Sequence, residues 1–295
     1  MSDFVQQQGS PCDFSGGDSW VIMTPIEQSI KRKIESVGVP LKDWNIQINY
    51  GIKTGFNDAF IISSEKRAEI LSNCETEEER YKTDEIIRPI LRGRDIKRYG
   101  YNWAELWLIN THNGVKGRIP RIRIEDYPAI KAHLDLYWDK IKDRADQGDT
   151  PYNLRNCAYL EDFFLPKIVY GQFQDGAEYS FAESGIFLSS NEYMLITHHY
   201  SAKCLLAFLN SKVSEWLLGQ ITGNLGCNAK IGQKSNFLKL SIAILSEEQQ
   251  ARFEEYVDSI LADRAGSAPY EALIDKEIYN VYGLTNEEIC LIESQ

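Results

Sequence analysis

The sequence predicts an α+β fold of mixed and antiparallel sheets with packed helices, ending in a helical appendage. Three observations lead there. Helical and extended patterns follow one another without the regular strand–helix–strand order of a doubly wound sheet. Several short stretches are β-branched and aromatic, and polar turns bound them. Two capping boxes fall within residues 246–295, where extended patterns have stopped.

Residues 1–19 are rich in Gly, Ser and Gln and poor in apolar side chains, which predicts a flexible lead-in. Thr24-Pro25-Ile26-Glu27 joins an N-cap, a proline at the first helical position and a capping-box glutamate. Ile26, Ile30 and Ile34 continue at helical spacing as far as Gly38. Residues 44–50 alternate apolar and polar, the pattern of a half-buried strand. A glycine turn (51–57) leads to a second short strand, Ala59-Phe60-Ile61-Ile62. Residues 65–71 are helical, as are 84–87 until Pro89 interrupts. A strand over 103–109 precedes a polar loop (111–121), and Ile130, Leu134, Trp138 and Ile141 mark one helix. Strands follow over 163–173 and 186–197, then an amphipathic helix over 202–218. A loop rich in Gly and Asn (222–236) runs into a short strand within 238–245. Ser246-Glu247-Glu248-Gln249 and Thr285-Asn286-Glu287-Glu288 open helices of an acidic tail. The expected divisions are therefore 1–19, a body of 20–245 and a tail of 246–295.

Charge refines this picture. The 295 residues carry a formal net charge of −11, which taken whole argues against a polyanion partner. Residues 246–295 alone hold 12 Asp/Glu and 3 Lys/Arg, so the body is almost neutral. Within it, residues 86–123 carry Arg88, Arg92, Arg94, Lys97, Arg98, Lys116, Arg118, Arg121 and Arg123 against Asp95 and Glu105 only. A basic middle is thus joined to an acidic end, and a nucleic-acid partner returns to consideration. No apolar run approaches the roughly 18–20 residues of a membrane span, and no basic-then-apolar leader opens the chain. The expectation is a cytoplasmic protein with reduced thiols, because the six cysteines show no C-x-x-C spacing. The four histidines have no zinc spacing, and no metal site is expected.

Signs of self-contained catalysis are missing. No carboxylate pair is singled out by spacing, no G-x-S-x-G elbow occurs, and no phosphate-cradling G-x-x-x-x-G-K-[ST] is present. Phe14-Ser15-Gly16-Gly17 follows no strand and opens no helix, so it reads as linker. The glycine turn is more informative. Gly51 and Gly55 permit close backbone approach or positive φ, while Lys53, Thr54 and Asn57 offer a charge and several donors. Such a loop either clamps a phosphate or forms an ordinary hairpin.

The segment Gly51-Ile52-Lys53-Thr54-Gly55-Phe56-Asn57-Asp58-Ala59-Phe60-Ile61-Ile62 resembles the G-I-x-T-G-x-N-x-A-F-x-I signature of the TaqI-like C-terminal specificity domain. That domain belongs to adenine-specific DNA methyltransferases, especially fused Type IIG restriction-modification enzymes. Ile90-Leu91-Arg92-Gly93-Arg94-Asp95-Ile96-Lys97-Arg98-Tyr99 is similar to the family's L-x-G-x-D-I-x-R-Y block. Tyr152-Asn153-Leu154-Arg155-Asn156-Cys157 and Pro166-Lys167-Ile168-Val169-Tyr170 resemble its next two blocks. Ala207-Phe208-Leu209-Asn210-Ser211-Lys212 is similar to its L-N-S-K helix. Ile274-Asp275-Lys276-Glu277-Ile278-Tyr279 with Tyr282-Gly283-Leu284-Thr285 resembles its helical tail, so the likeness runs from about residue 20 to the end. Each proline stands singly, so the Pro-Pro-aromatic element that such methyltransferases use at the flipped base is missing, and the catalytic core is expected upstream.

The resemblance implies a specificity-domain fold and duplex-DNA recognition in a restriction-modification or related phage-defence methyltransferase. It implies S-adenosylmethionine for the separate catalytic domain and none bound by this chain, which alone is not an enzyme. Phosphate contacts are expected from Lys53, Thr54 and Asn57, from Arg92, Arg94, Lys97 and Arg98, and from Lys230 and Lys234. Base contacts are expected from Asn113, Lys116, Arg118 and Arg121 in one loop, from Gln172 and Gln174 at a strand end, and from Asn228 and Gln233 in a third loop. Other roles compete for these residues. Asp95 can pair with Arg92 or Arg98 and pin a turn, and Tyr170 and Phe173 fit a core better than a stacking platform. The acidic tail is expected to pack on the body or on another part of the enzyme. Two different functions stay open: that the chain itself methylates or cleaves DNA, or that it docks a separate methyltransferase as a Type I specificity subunit does.

Overall fold

A computed structural model describes residues 23–172, 178–222 and 234–294. The expected lead-in therefore lies outside the described residues, as does most of the 222–236 loop. By packing, the described residues separate into a central unit, Gln47–Gln172 with Tyr179–His198, and a second unit that takes in 23–46, 199–222 and 234–294.

Helix α1 (Pro25–Val37) begins where the sequence places it. Thr24 Oγ1 accepts from Glu27 N, and Glu27 Oε2 accepts from Thr24 N at 2.7 Å, which closes the capping box. Ile30 and Ile34 are fully buried, and β1 (Gly38–Pro40) follows directly.

Two four-stranded sheets make up the central unit. One has the order β2-β9-β6-β7, from β2 (Ile46–Tyr50), β6 (Lys167–Gly171), β7 (Ser180–Ala182) and β9 (Glu192–Thr197). The other has the order β3-β5-β4-β8, from β3 (Ile61–Ser63), β4 (Ile87–Leu91), β5 (Leu106–Ile109) and β8 (Phe187–Leu188). β4 and β8 run parallel, whereas β3–β5, β4–β5, β6–β7 and β6–β9 are antiparallel. The fold is α+β with mixed and antiparallel sheets, as the sequence predicts.

One expectation needs correction here. β2 and β3 lie in different sheets, so residues 51–57 are not a hairpin turn. They carry the chain from one sheet to the other, and a short helix, α2 (Asn57–Phe60), occupies residues expected in a strand. Helices α3 (Ser64–Ser72), α4 (Glu77–Ile86), α5 (Pro128–Asp135) and α6 (Trp138–Ile141) pack around the sheets, so the single helix expected through 130–141 is two. Phe60, Ile90, Leu91, Leu108, Leu134 and Phe163 form the heart of the core, where Phe163 stacks on Phe187 with ring centroids 4.4 Å apart.

In the second unit the helix expected over 202–218 is also divided, into α7 (Ala202–Leu209) and α8 (Lys212–Thr222). The break has a local cause. Buried Ser211 accepts from Ser214 N at 3.2 Å, and Asp275 Oδ1 accepts from Lys212 N at 3.0 Å, so α8 starts with its own caps. α9 (Lys234–Phe237) precedes β10 (Ser241–Ala243), which pairs antiparallel with β1. The acidic helices α10 (Glu247–Ala262), α11 (Ala268–Val281) and α12 (Asn286–Glu293) share this unit's core. Phe253 of α10 meets Phe208 of α7 at 5.4 Å between ring centroids. On α12, Glu288 accepts from Ser29 Oγ at 2.8 Å and Lys33 Nζ at 2.7 Å, both on α1. Packing thus runs straight through residue 245, and the tail is built into its unit.

Candidate nucleic-acid interface

The first two signature blocks converge inside the central unit. Gly51 N donates to Glu192 O at 2.9 Å, Ile52 N to Leu188 O at 2.8 Å, and Ser189 N to Leu91 O at 2.9 Å. A Cβ on Gly51 would stand 1.8 Å from Ser189 O, so glycine is required by close approach. Beside this knot, Asp95 accepts from Arg92 Nε, Arg92 Nη2 and Arg92 N, each at 2.9 Å. Burial works to raise the Asp95 pKa, yet the Arg92 bonds hold it below the usual carboxylate range. Arg92 is therefore occupied in pinning its own turn. Glu192 is buried and bonded by the Ser189 hydroxyl, and burial pushes its carboxyl up. Arg94 is exposed, while Lys97 and Arg98 are half-buried, with the Arg98 guanidinium 5.4 Å from the Tyr99 ring centroid.

The 51–57 segment is anchored from within. Thr54 is buried and its Oγ1 donates to Asn57 Oδ1 at 2.6 Å. Buried Arg144 donates to Thr54 O at 2.8 Å, Ile141 O at 3.2 Å and Asn153 O at 2.5 Å, and also to Pro151 O. Its guanidinium sits 4.5 Å from the Phe60 ring centroid, and burial lowers its pKa to about 10. Of the three residues expected to clamp a phosphate, Lys53 and Asn57 are exposed, whereas the Thr54 hydroxyl is turned inward.

Residues 112–121 form the exposed basic loop. Val115 and Ile119 are bridged antiparallel, and Gly114 N donates to His112 Nδ1 at 3.2 Å. Burial lowers the His112 pKa, which favours the neutral ring this bond requires. The loop lines a cleft of about 840 Å³, whose opposite wall includes Asp149, Asn156 and Cys157. Asn113 Nδ2 donates to Asp149 Oδ1 at 2.9 Å and Asn156 Oδ1 at 2.6 Å, and its Oδ1 accepts from Asp149 N at 2.9 Å. Arg121 Nη1 lies 3.1 Å from Asp149 Oδ2. Arg118 Nη1 lies 2.5 Å from Glu161 Oε2, and its Nη2 donates to Ala158 O at 3.2 Å. Lys116 is exposed at the tip. Burial pushes the Cys157 thiol up to about 11, so it stays protonated near neutral pH.

Four basic or amide side chains from one sequence loop are thus brought to one cleft. Gln172 is half-buried just past β6, its N donating to Asn191 O at 3.0 Å. Lys234 opens α9 in the other unit. Gln174, Asn228, Lys230 and Gln233 lie outside the described residues. Sequence reasoning missed Asp149, Asn156 and Arg144. Asp149 sits in Gln147-Gly148-Asp149-Thr150-Pro151, a turn signature that shows a loop but names no partner. Among the described residues no group of His, Cys, Asp and Glu has the arrangement of a metal site, and no helix is long and apolar enough to cross a membrane.

A family model described as the TaqI-like C-terminal specificity domain matches residues 88–235. Two solved structures share the fold. The Type IIL restriction-modification enzyme MmeI, in complex with DNA, superposes with a TM-score of 0.58 at 14% identity, over 85% of this chain and 34% of its own. The type IIG restriction endonuclease BpuSI gives a TM-score of 0.54 at 15% identity, over 80% of this chain and 28% of its own. This chain spans about a third of the length of each. No curated protein sequence matches it.

Proposed function

The chain belongs to the TaqI-like C-terminal specificity domain family, and from that membership we propose that it reads duplex DNA for a restriction-modification methyltransferase. In this reading it grips and identifies the target while a separate catalytic domain flips and methylates adenine with S-adenosylmethionine. The observation that carries the proposal is the cleft beside the 112–121 loop, where basic and amide side chains project from a framework fixed by the family's own signature residues. Cations on phosphates would supply affinity, and loop side chains on base edges would supply discrimination. The central unit suits that division, with 20 Lys/Arg against 22 Asp/Glu, whereas the rest of the chain has 12 against 21.

Binding of labelled duplex DNA across a salt series tests the proposal. Affinity should fall steeply as salt rises, and removal of Lys53 or Arg94 should weaken all sequences alike. Salt-independent binding, or none, would refute it. Incubating the chain alone with labelled S-adenosylmethionine and mixed-sequence DNA should transfer no methyl group; transfer would make the chain itself the methyltransferase.

A further inference from the structure

We propose that Arg121, oriented by Asp149, is the guanine-reading residue of the cleft; this rests on the DNA-reading function above. The polar side chains around the cleft differ in what they still have to offer. Asn113 gives both Nδ2 hydrogens to protein oxygens, to Asp149 and to Asn156. An adenine edge needs one of those hydrogens for N7, so Asn113 is a clamp and not a reader. Arg118 spends both ends of its fork, one on Glu161 and one on Ala158 O. Lys116 is a point charge without a fork.

Arg121 is anchored at Nη1 only, so among the loop's two arginines it is the one whose Nε and Nη2 edge is wholly unengaged among the described residues. Its Nη1 meets Asp149 Oδ2, and no other hydrogen bond engages its guanidinium among the described residues. Asp149 is itself held at two points, since its Oδ1 accepts from Asn113 Nδ2 and its N donates to Asn113 Oδ1. The carboxylate is thus held on the protein and anchors one end of the guanidinium at Nη1, leaving the Nε and Nη2 donors for a ligand. Two parallel donors match guanine O6 and N7. Adenine pairs an acceptor with a donor at those positions, and thymine and cytosine present no such pair of acceptors. Anchoring one end in advance lowers the ordering cost of forming both bonds. Asp149 is thus a positioning residue that acts through Arg121.

Selection of sites from random duplexes, run on the full chain as wild type, Arg121→Lys, Arg121→Ala and Asp149→Asn, tests the assignment. Thermal unfolding of each variant checks the fold, which an exposed ion pair should affect little. Wild type should enrich sites with guanine in one column. Both Arg121 variants should lose about 5- to 150-fold discrimination in that column alone. Arg121→Lys should do so with its salt dependence unchanged, because the charge is kept. Asp149→Asn should blur the same column without weakening total binding, because a negative charge has gone. If Arg121→Ala weakens every sequence equally and shallows the salt slope by about one, Arg121 holds a phosphate and the proposal fails. Loss at a column other than guanine, or an unaltered column in Asp149→Asn, also overturns it. A wild-type chain that enriches no sequence counts against the DNA-reading function itself.

Discussion

Arg144 shows how one buried cation organises a recognition framework. Its guanidinium bonds four main-chain carbonyls, from Thr54, Ile141, Pro151 and Asn153, so it ties three separate segments together. Replacing it by Met should cost about 3–5 kcal/mol, since buried acceptors lose charge-assisted partners, and urea unfolding measures the loss. Lys167 is the second case. It is fully buried and donates to Phe163 O at 2.8 Å and Leu165 O at 2.9 Å, and burial lowers its pKa to about 8. The unfolded lysine titrates near its ordinary 10.5, so between about pH 8 and 10.5 the unfolded chain binds more protons than the folded one. The contribution of Lys167 to stability must therefore rise with pH across that window. Wild type should gain on Lys167→Met between pH 8 and 10.5, on the order of 3 kcal/mol at most, in paired urea denaturations.

Segments behave according to what caps and crosses them. Gly51 has no room for a methyl group, because a Cβ would collide with Ser189 O. Gly51→Ala should destabilise by about 3 kcal/mol and lower the denaturation midpoint. Glu288 both closes the capping box of α12 and anchors it to α1. Burial alone would raise its carboxyl, but Lys33, Thr285 N and Ser29 hold it down at about 2. A depressed folded pKa supplies stability that is present above the ordinary 4.5 and fades as pH falls towards 2. The stability gap between wild type and Glu288→Gln should therefore be full at pH 6 and shrink by pH 3, as denaturant midpoints will report. Local sequence signals were sufficient for these caps: Thr24, Ser246 and Thr285 each start a helix where the pattern puts one. They failed where tertiary contacts decide. Asp275, 63 residues away from Lys212, helps start α8, and no window around Asn210-Ser211 contains it. The 51–57 segment misled for the same reason, since Arg144 fixes it from 90 positions away and the glycines fit a hairpin equally well.

Charge is divided between the two units more sharply than the average of −11 suggests. The acidic helices were legible from composition, but their place in a core with α1 and α7 was not, because amphipathic spacing shows an apolar face without naming its partner. Neutralising exposed acids on α10, such as Glu248 and Glu255, should raise total DNA affinity at low salt and leave sequence preference intact. A changed preference in site selection would show that the acids touch the target. The candidate readers were legible only as a loop composition. Which donors remain unspent depends on Asp149, Asn156 and Glu161, 28 to 43 positions away in the hydrogen-bonded pairs they make with the loop.

The bridge between Val115 and Ile119 also bears on how such a protein changes. The loop stands outside both four-stranded ladders, and at its tip Gly117 a side chain would be unobstructed but would have to adopt φ +76°. Substitutions of exposed Lys116 therefore carry little folding penalty, whereas Gly117 keeps the turn, so drift and selection can sample new charge at position 116 while the scaffold stays still. An engineer could use the same freedom, varying position 116 to tune grip and Arg121 to alter the target, without first restoring the fold.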